Sequence, residues 1–281
     1  MSTFTLPKVS PSVEVTLPSG LTKEQLLSFI PFNNWLETLR KSLDEQSKKK
    51  HMFHEKNQRY TLRSINVHSV DWFGNRIGFV KLEAVVQNNT GERPLPGIVF
   101  LRGGSVAILM IIRPEGKSKD ERKVVMTQQP RIPAGSLTFY EIPAGMIDDE
   151  KKFSGAAAKE LKEETGLEIP AHELIDMTAL ALKNAEGTES HLQRAMYPSP
   201  GGCDEYIALF LWEGTKPQVW IDDVEGRLAG VDREKIKVKL VKYEELWKEG
   251  ARDAKTLAAW ALYEGLTRQG AFDNVDESDS S

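Results

Sequence analysis

Glutamates stand at positions 160, 163 and 164, a spacing of i, i+3 and i+4 that stacks side chains on one face of a helix. The residues around them favour that helix. Ser154 is a suitable N-cap, the alanines at 156–158 favour helix, and Gly166 suits the C-terminal stop. A helix over 154–165 is therefore predicted. Three like charges on one face repel by roughly 0.2–0.5 kcal/mol per pair, and near a helix C-terminus they also oppose the dipole. A solvated surface helix could carry this pattern. The other reading is a cluster of oxygen donors for a hard divalent cation, Mg²⁺ or Mn²⁺, which keeps open positions for water and for diphosphate oxygens. Spacing alone leaves both readings open.

The elements that must hold this helix follow from pattern. Strand-like runs rich in β-branched residues occur at 60–70 and 77–86 around Asp71-Trp-Phe-Gly74, and further runs at 98–101, 105–112, 122–127, 137–142, 206–212 and 236–242. A second helix is predicted over 253–268. Near the start, Thr22 and Gln25 have capping-box spacing ahead of Leu26 and Leu27, Pro31 interrupts that helix, and another begins near Asn34. Strands and helices mixed without βαβ regularity predict an α+β sandwich. The turn-rich segment 88–97 is the best domain boundary. The predicted organisation is an extended Ser/Thr/Pro-rich arm over 1–20, an accessory domain over 21–96, a main domain over 97–270 and an acidic tail over 271–281.

Composition narrows the class. The tail from Asp273 carries four acidic residues and no basic one, so the formal charge of −4 leaves the rest of the chain near zero. A balanced body argues against a nucleic-acid partner, which usually meets a basic excess. No apolar run is long enough to span a bilayer. A single cysteine, Cys203, excludes an intrachain disulfide and fits a reducing compartment. The expected location is cytoplasmic, with an organelle left open. Locally the balance breaks: residues 141–167 hold seven carboxylates against four lysines. A divalent cation would offset most of that excess and turn the pocket towards anionic ligands.

The segment Gly145 to Leu167 resembles the Nudix box, matching it at Gly145, Glu160, Leu161, Glu163, Glu164, Gly166 and Leu167. Two positions depart: Lys151 stands in place of glutamate and Lys159 in place of arginine. The resemblance implies a Nudix α/β/α sandwich with a mixed sheet, preceded by a smaller domain of helices and antiparallel strands. It implies metal ligation by the Ala144 carbonyl and by Glu160, Glu163 and Glu164. Glu163 and Glu164 also count among the catalytic residues, as does Lys159, which inherits the orienting role of an arginine whose planar fork it cannot reproduce.

The flanks resemble the ADP-ribose and ADP-sugar members of that family, closest to the plant-type ADP-sugar diphosphatases. Gln129-Pro-Arg-Ile-Pro133 makes Arg131 a candidate diphosphate clamp, a role that suits a guanidinium fork. Glu141-Ile-Pro-Ala-Gly-Met146 resembles the strand entering the box. Tyr197-Pro-Ser-Pro-Gly-Gly-Cys-Asp-Glu205 resembles a substrate loop, which brings Ser199, Gly201 and Gly202 in as binding residues and Glu205 as the general base, with Asp204 as its competitor. Cys203 lies in this loop with no histidine paired to it in sequence and reads as packing. The implied reaction is metal-dependent hydrolysis of a nucleoside diphosphate sugar, such as ADP-ribose or ADP-glucose, to a nucleoside monophosphate and a sugar phosphate. Alternatives are a UDP- or GDP-sugar diphosphatase, or a nucleotide-sugar binding module with weakened catalysis. Residues 181–184 lack the proline that often marks ADP-ribose hydrolases, and 182–194 reads as an irregular insertion. The accessory strands imply a homodimer, with Trp72, Phe73 or Phe79 available to stack on a base.

Overall fold

The computed structural model describes residues 1–7, 11–56, 58–90, 92, 94–147, 153–183, 189–230 and 235–272. The chain forms two compact units. The first comprises residues 1–104 together with 186–193 and 199–205, and the second comprises 105–185, 194–198 and 206–281.

In the first unit, strands β1 (Ser2–Thr5) and β2 (Glu14–Leu17) are followed by helices α1 (Lys23–Ser28) and α2 (Ile30–Glu45), then β3 (Tyr60–Phe73), β4 (Arg76–Asn88) and β5 (Ile98–Leu101). They make one sheet in the order β1-β2-β3-β4-β5, with β2 parallel to β3 and the other pairs antiparallel. Residues 1–20 are thus not simply an extended arm. Val13, Val15 and Leu17 alternate inward and are buried beside Leu26, Phe32 and Ile65, a period-two pattern that the Ser, Thr and Pro content obscures. The Thr22–Gln25 capping box forms. Pro31 opens α2 rather than delaying it to Asn34, because proline's fixed φ and missing N–H suit a first helical turn. Strand β5, expected in the main domain, pairs with β4 because Gly97 lets the chains close in. Its carbonyl accepts the Ala84 N–H at 2.8 Å, and a Cβ there would fall 1.9 Å from the Ala84 oxygen.

The second unit contains β6 (Ser105–Pro114), β7 (Lys123–Arg131), β8 (Ser136–Glu141), β9 (Ala144–Met146), α3 (Phe153–Thr165), β10 (Ile175–Asp176), α4 (Met177–Ala181), β11 (Ile207–Lys216), α5 (Gln218–Val224), β12 (Leu228–Ala229), β13 (Ile236–Lys242), α6 (Leu246–Glu249) and α7 (Ala254–Arg268). The sheet runs β10-β11-β6-β7-β13-β12 and is mixed: β11 and β6 are parallel, their other neighbours antiparallel. Strand β6 is buried on both faces, as its unbroken apolar run requires. Val106, Ile108 and Met110 pack with Ala157 and Leu161 of α3 on one side. Ala107, Leu109 and Ile111 pack with Ala259 and Tyr263 of α7 on the other. Each such buried aliphatic side chain stabilises the fold by about 1.5–3 kcal/mol. The result is the α/β/α sandwich expected.

One irregularity of this sheet positions the chemistry. Strands β6 and β7 pair only at Ile111–Val124 and Ile112–Lys123. Where they part, the start of β6 pairs with β9 and the end of β7 pairs with β8. The link between β8 and β9, residues 141–144, therefore lies in the split of the sheet.

Candidate active site

Helix α3 brings its acidic face to that link. Gly166 ends the helix at φ +70°, a left-handed conformation natural to glycine. Glu164 is buried and accepts two hydrogen bonds, from Gln129 Nε2 on Oε1 and from the Ala144 backbone N–H on Oε2, both at 2.9 Å. Burial raises its pKa to about 7; the bonds from Gln129 and Ala144 oppose that rise without cancelling it. Glu160 closes on the same backbone. A Cβ at Gly145 would fall 1.8 Å from the Glu160 carboxyl carbon, so any larger residue there would displace that carboxyl group. Two carboxylates of α3 thus converge on Ala144–Gly145, next to the Ala144 carbonyl.

Glu163 is only half-buried, and its carbonyl accepts the Gly230 N–H at 3.1 Å. Lys159 is exposed. Lys151 lies outside the described residues. Among the described residues no three acidic, histidine or cysteine side chains form a ready metal cage. The donor set nevertheless fits a hard cation, because Glu160, Glu164 and a backbone carbonyl offer oxygen alone.

Arg131 sits at the end of β7, after a bulge between Gln129 and Arg131. Its Nε donates to Glu141 Oε1 at 2.6 Å. Burial works against the guanidinium charge, but Glu141, then Glu164 and Asp253, outweigh it and hold its pKa above the ordinary value. The second Glu141 oxygen accepts from Lys255 Nζ, which also donates to Asp253 Oδ1 at 3.0 Å. Gln129, Glu141, Asp253, Lys255 and Thr256 were not singled out by type and spacing. The signal for Gln129 is its place in the Gln-x-Arg motif and that for Glu141 its place at the head of Glu141-Ile-Pro-Ala-Gly-Met146, while Asp253-Ala-Lys-Thr-Leu257 agrees with the plant-type subgroup without assigning those residues a role.

The loop residues 199–205 and Arg102 belong to the first unit. There the Cys203 N–H donates to the Ser199 carbonyl at 3.0 Å, and Gly202 O accepts the Phe100 N–H at 2.8 Å, extending the sheet beyond β5. Gly201 and Gly202 have no positive φ, and a Cβ at either would meet nothing within 4 Å. Neither packing nor backbone conformation in this unit requires glycine at those positions. Asp204 accepts the backbone N–H groups of Arg102 (2.7 Å) and Gly103 (3.2 Å), which occupies it structurally. Glu205 is largely buried and pairs with Arg102 Nη1 at 3.3 Å. Burial raises the Cys203 thiol pKa, which disfavours the thiolate. Phe73 and Phe79 form an edge-on pair at 5.0 Å, and Phe79 lies 5.1 Å from Phe100.

The NUDIX domain profile matches residues 101–261. The chain belongs to the Nudix family. Among Nudix relatives it is 40% identical to "Nudix hydrolase 14, chloroplastic" of Arabidopsis thaliana over 75% of this chain and 65% of that protein. It is 34% identical to "ADP-ribose pyrophosphatase" of Bacillus subtilis over 39% of this chain and 45% of that one. The chain thus spans less than two thirds of the length of these curated relatives. A solved ADP compounds hydrolase overlaps it at a TM-score of 0.46 with 15% identity, over 75% of this chain and 98% of that one. No helix among the described residues is long and apolar enough to cross a membrane.

Proposed function

We propose that this Nudix chain hydrolyses the diphosphate bond of a nucleoside diphosphate sugar, an ADP-sugar such as ADP-ribose or ADP-glucose, giving a nucleoside monophosphate and a sugar phosphate. The observation that carries the reading is the convergence of Glu160 and Glu164 on the Ala144–Gly145 backbone. These three oxygen donors, with Glu163 on the same helix face, would hold Mg²⁺ or Mn²⁺. Bound there, the cation would supply neutralisation of diphosphate charge and Lewis acidity at phosphorus.

The protein's own groups do the rest. Gln129 and the Ala144 N–H hold the Glu164 carboxylate in place. Arg131 presents its charge to the diphosphate from a side chain fixed at Nε by Glu141. Glu205, steadied by Arg102, takes a proton from the attacking water, and the bare backbone at Gly201 and Gly202 leaves room for a ligand. Glu205 holds this role by the resemblance of its loop. Lys159 keeps a positive charge where the family has arginine and orients the neighbouring glutamates less tightly.

A homodimer belongs to the same proposal, supported by the exposed apolar side chains Trp72, Phe73, Ile98 and Phe100 on the first sheet. Light scattering on the purified chain tests it. For location we propose a reducing compartment, cytoplasm or chloroplast, supported by the lone Cys203 and by the relative described as chloroplastic. Monophosphate release from ADP-ribose, ADP-glucose, UDP-glucose and GDP-mannose with Mg²⁺ tests the activity. Release from the ADP compounds bears the proposal out, preference for the UDP or GDP compound moves the base, and binding without release from any of them overturns hydrolysis in favour of a binding module.

A further inference from the structure

Residue 255 is an unfavourable place for a lysine. It lies in the first turn of α7, two residues after the Asp253 cap, where the helix dipole opposes a cation. It is also largely buried, with its side chain 12% exposed. Burying an ammonium there is tolerable only because two carboxylates receive it, Glu141 on one side and Asp253 on the other. A side chain that breaks a local rule and is compensated across the fold marks a constraint beyond helix stability.

The same helical turn grips the neighbouring backbone. Thr256 Oγ1 accepts the Ile142 N–H at 3.1 Å and donates to Asp253 Oδ2 at 2.5 Å. Two residues on, the Ala144 N–H is held by Glu164. The short link 141–144 is therefore pinned by α7 at its start and by α3 at its end. Glu141 divides its two oxygens: Oε2 takes Lys255 and Oε1 takes Arg131 Nε. The carboxylate is itself almost fully buried, with its side chain 3% exposed. Both of its oxygens are thus taken by cations, and one of them anchors Arg131 at Nε.

We infer that Lys255 is a positioning residue: through Glu141 it fixes the Arg131 guanidinium for contact with a diphosphate. The inference rests on the diphosphate-binding role proposed for Arg131. Loss of a partner that orients a ligand-binding group commonly lowers affinity by about 10–100-fold, and an effect near the lower end is expected because Arg131 and Glu141 both remain.

The test compares wild type, Lys255→Met and Lys255→Arg. Nitrogen-15 spectra read the Arg131 Nε–H, assigned by its disappearance in Arg131→Lys, and calorimetry reads ADP-ribose affinity in EDTA, where no turnover occurs. In Lys255→Met the Nε–H resonance is expected to move and lose protection from exchange, and ADP-ribose to bind about tenfold more weakly. Lys255→Arg is expected to recover most of both, and Lys255→Met on an Arg131→Ala background to add little further loss. An unmoved resonance in folded Lys255→Met overturns the inference, as does a loss that adds in full to that of Arg131→Ala.

Thr256→Val supplies the control and the fallback if Lys255→Met does not fold. It removes the Oγ1 bonds to Ile142 and Asp253 but leaves the Lys255–Glu141 contact and the Thr256 N–H bond to Asp253 Oδ2, so it is expected to lower the melting temperature without moving the resonance or the affinity. If it moves both as Lys255→Met does, or if Lys255→Arg shifts both as far as is expected for Lys255→Met, positioning by the ammonium is overturned. The functional reading fails separately: wild type that binds ADP-ribose but releases no monophosphate overturns hydrolysis, while the resonance and the affinity still decide the role of Lys255.

Discussion

The Glu160 carboxyl group occupies the space where residue 145 would carry its Cβ. This contact joins the helix that supplies the carboxylates to the backbone that supplies the carbonyl. It gives the glycine at the head of the box a steric reason, since 1.8 Å is far inside any real Cβ contact. Gly145→Ala is expected to displace Glu160 from the Ala144 carbonyl and to reduce Mg²⁺-dependent monophosphate release by about two orders of magnitude, the upper end for loss of metal-site geometry. Circular dichroism should show the fold retained. Full activity with an intact fold would remove Glu160 from the site.

Glu164 makes a pH-dependent prediction for the protein in EDTA. Its folded pKa lies near 7 against an ordinary 4.5, raised chiefly by burial. Below the unfolded value both states are protonated and stability is at its full level. As pH rises from about 4.5 to about 7, the unfolded chain releases its proton first, and stability falls. The fall from this one group is at most about 3–4 kcal/mol. Glu164→Gln is expected to flatten that limb in urea melts taken across pH 4.5–7.5, because Gln129 can turn its amide to meet the new one. The same substitution is expected to remove most activity, and retained activity would refute the metal-site assignment.

What the sequence could disclose divides along sequence distance. The carboxylate face of α3, its stop at Gly166 and the strand-like run of β6 are all legible, because each is a local pattern within a dozen residues. The β1–β2 pairing was also written locally, in the alternation of Val13, Val15 and Leu17, but proline and serine around it read as a loose arm. The Glu141–Lys255 contact joins residues 114 apart in sequence, and no local pattern encodes such a pairing. Strand β9 is three residues long, too short for any period to register. The bond from Gln129 to Glu164 arises from the split between β6 and β7, a property of the sheet and not of either strand.

Glu205 is expected to act on rate, not on binding. Glu205→Gln keeps the size of the side chain and a partner for Arg102, but it cannot accept a proton. Losing a general base typically lowers turnover by about 10²–10⁴-fold, so kcat should fall within that range while KM stays within a few-fold. Asp204→Asn should differ in kind. Asp204 holds the Arg102 and Gly103 amides, so its loss should show first as a lower melting temperature. A variant pair with these phenotypes exchanged would make Asp204 the base.

Lys159 offers a gain of function. It stands on the exposed side of α3, so an arginine can be accommodated there without repacking the core. Its planar fork can hold a carboxylate by two parallel bonds, where the ammonium acts as a point charge. Lys159→Arg is therefore expected to raise kcat by about two- to tenfold, the worth of roughly 0.4–1.4 kcal/mol of better orientation, with KM and melting temperature nearly unchanged. Lys159→Met is expected to lower kcat below wild type, so that the series runs Met, Lys, Arg in ascending rate. A flat series would mean that position 159 takes no part in orienting Glu160, Glu163 or Glu164.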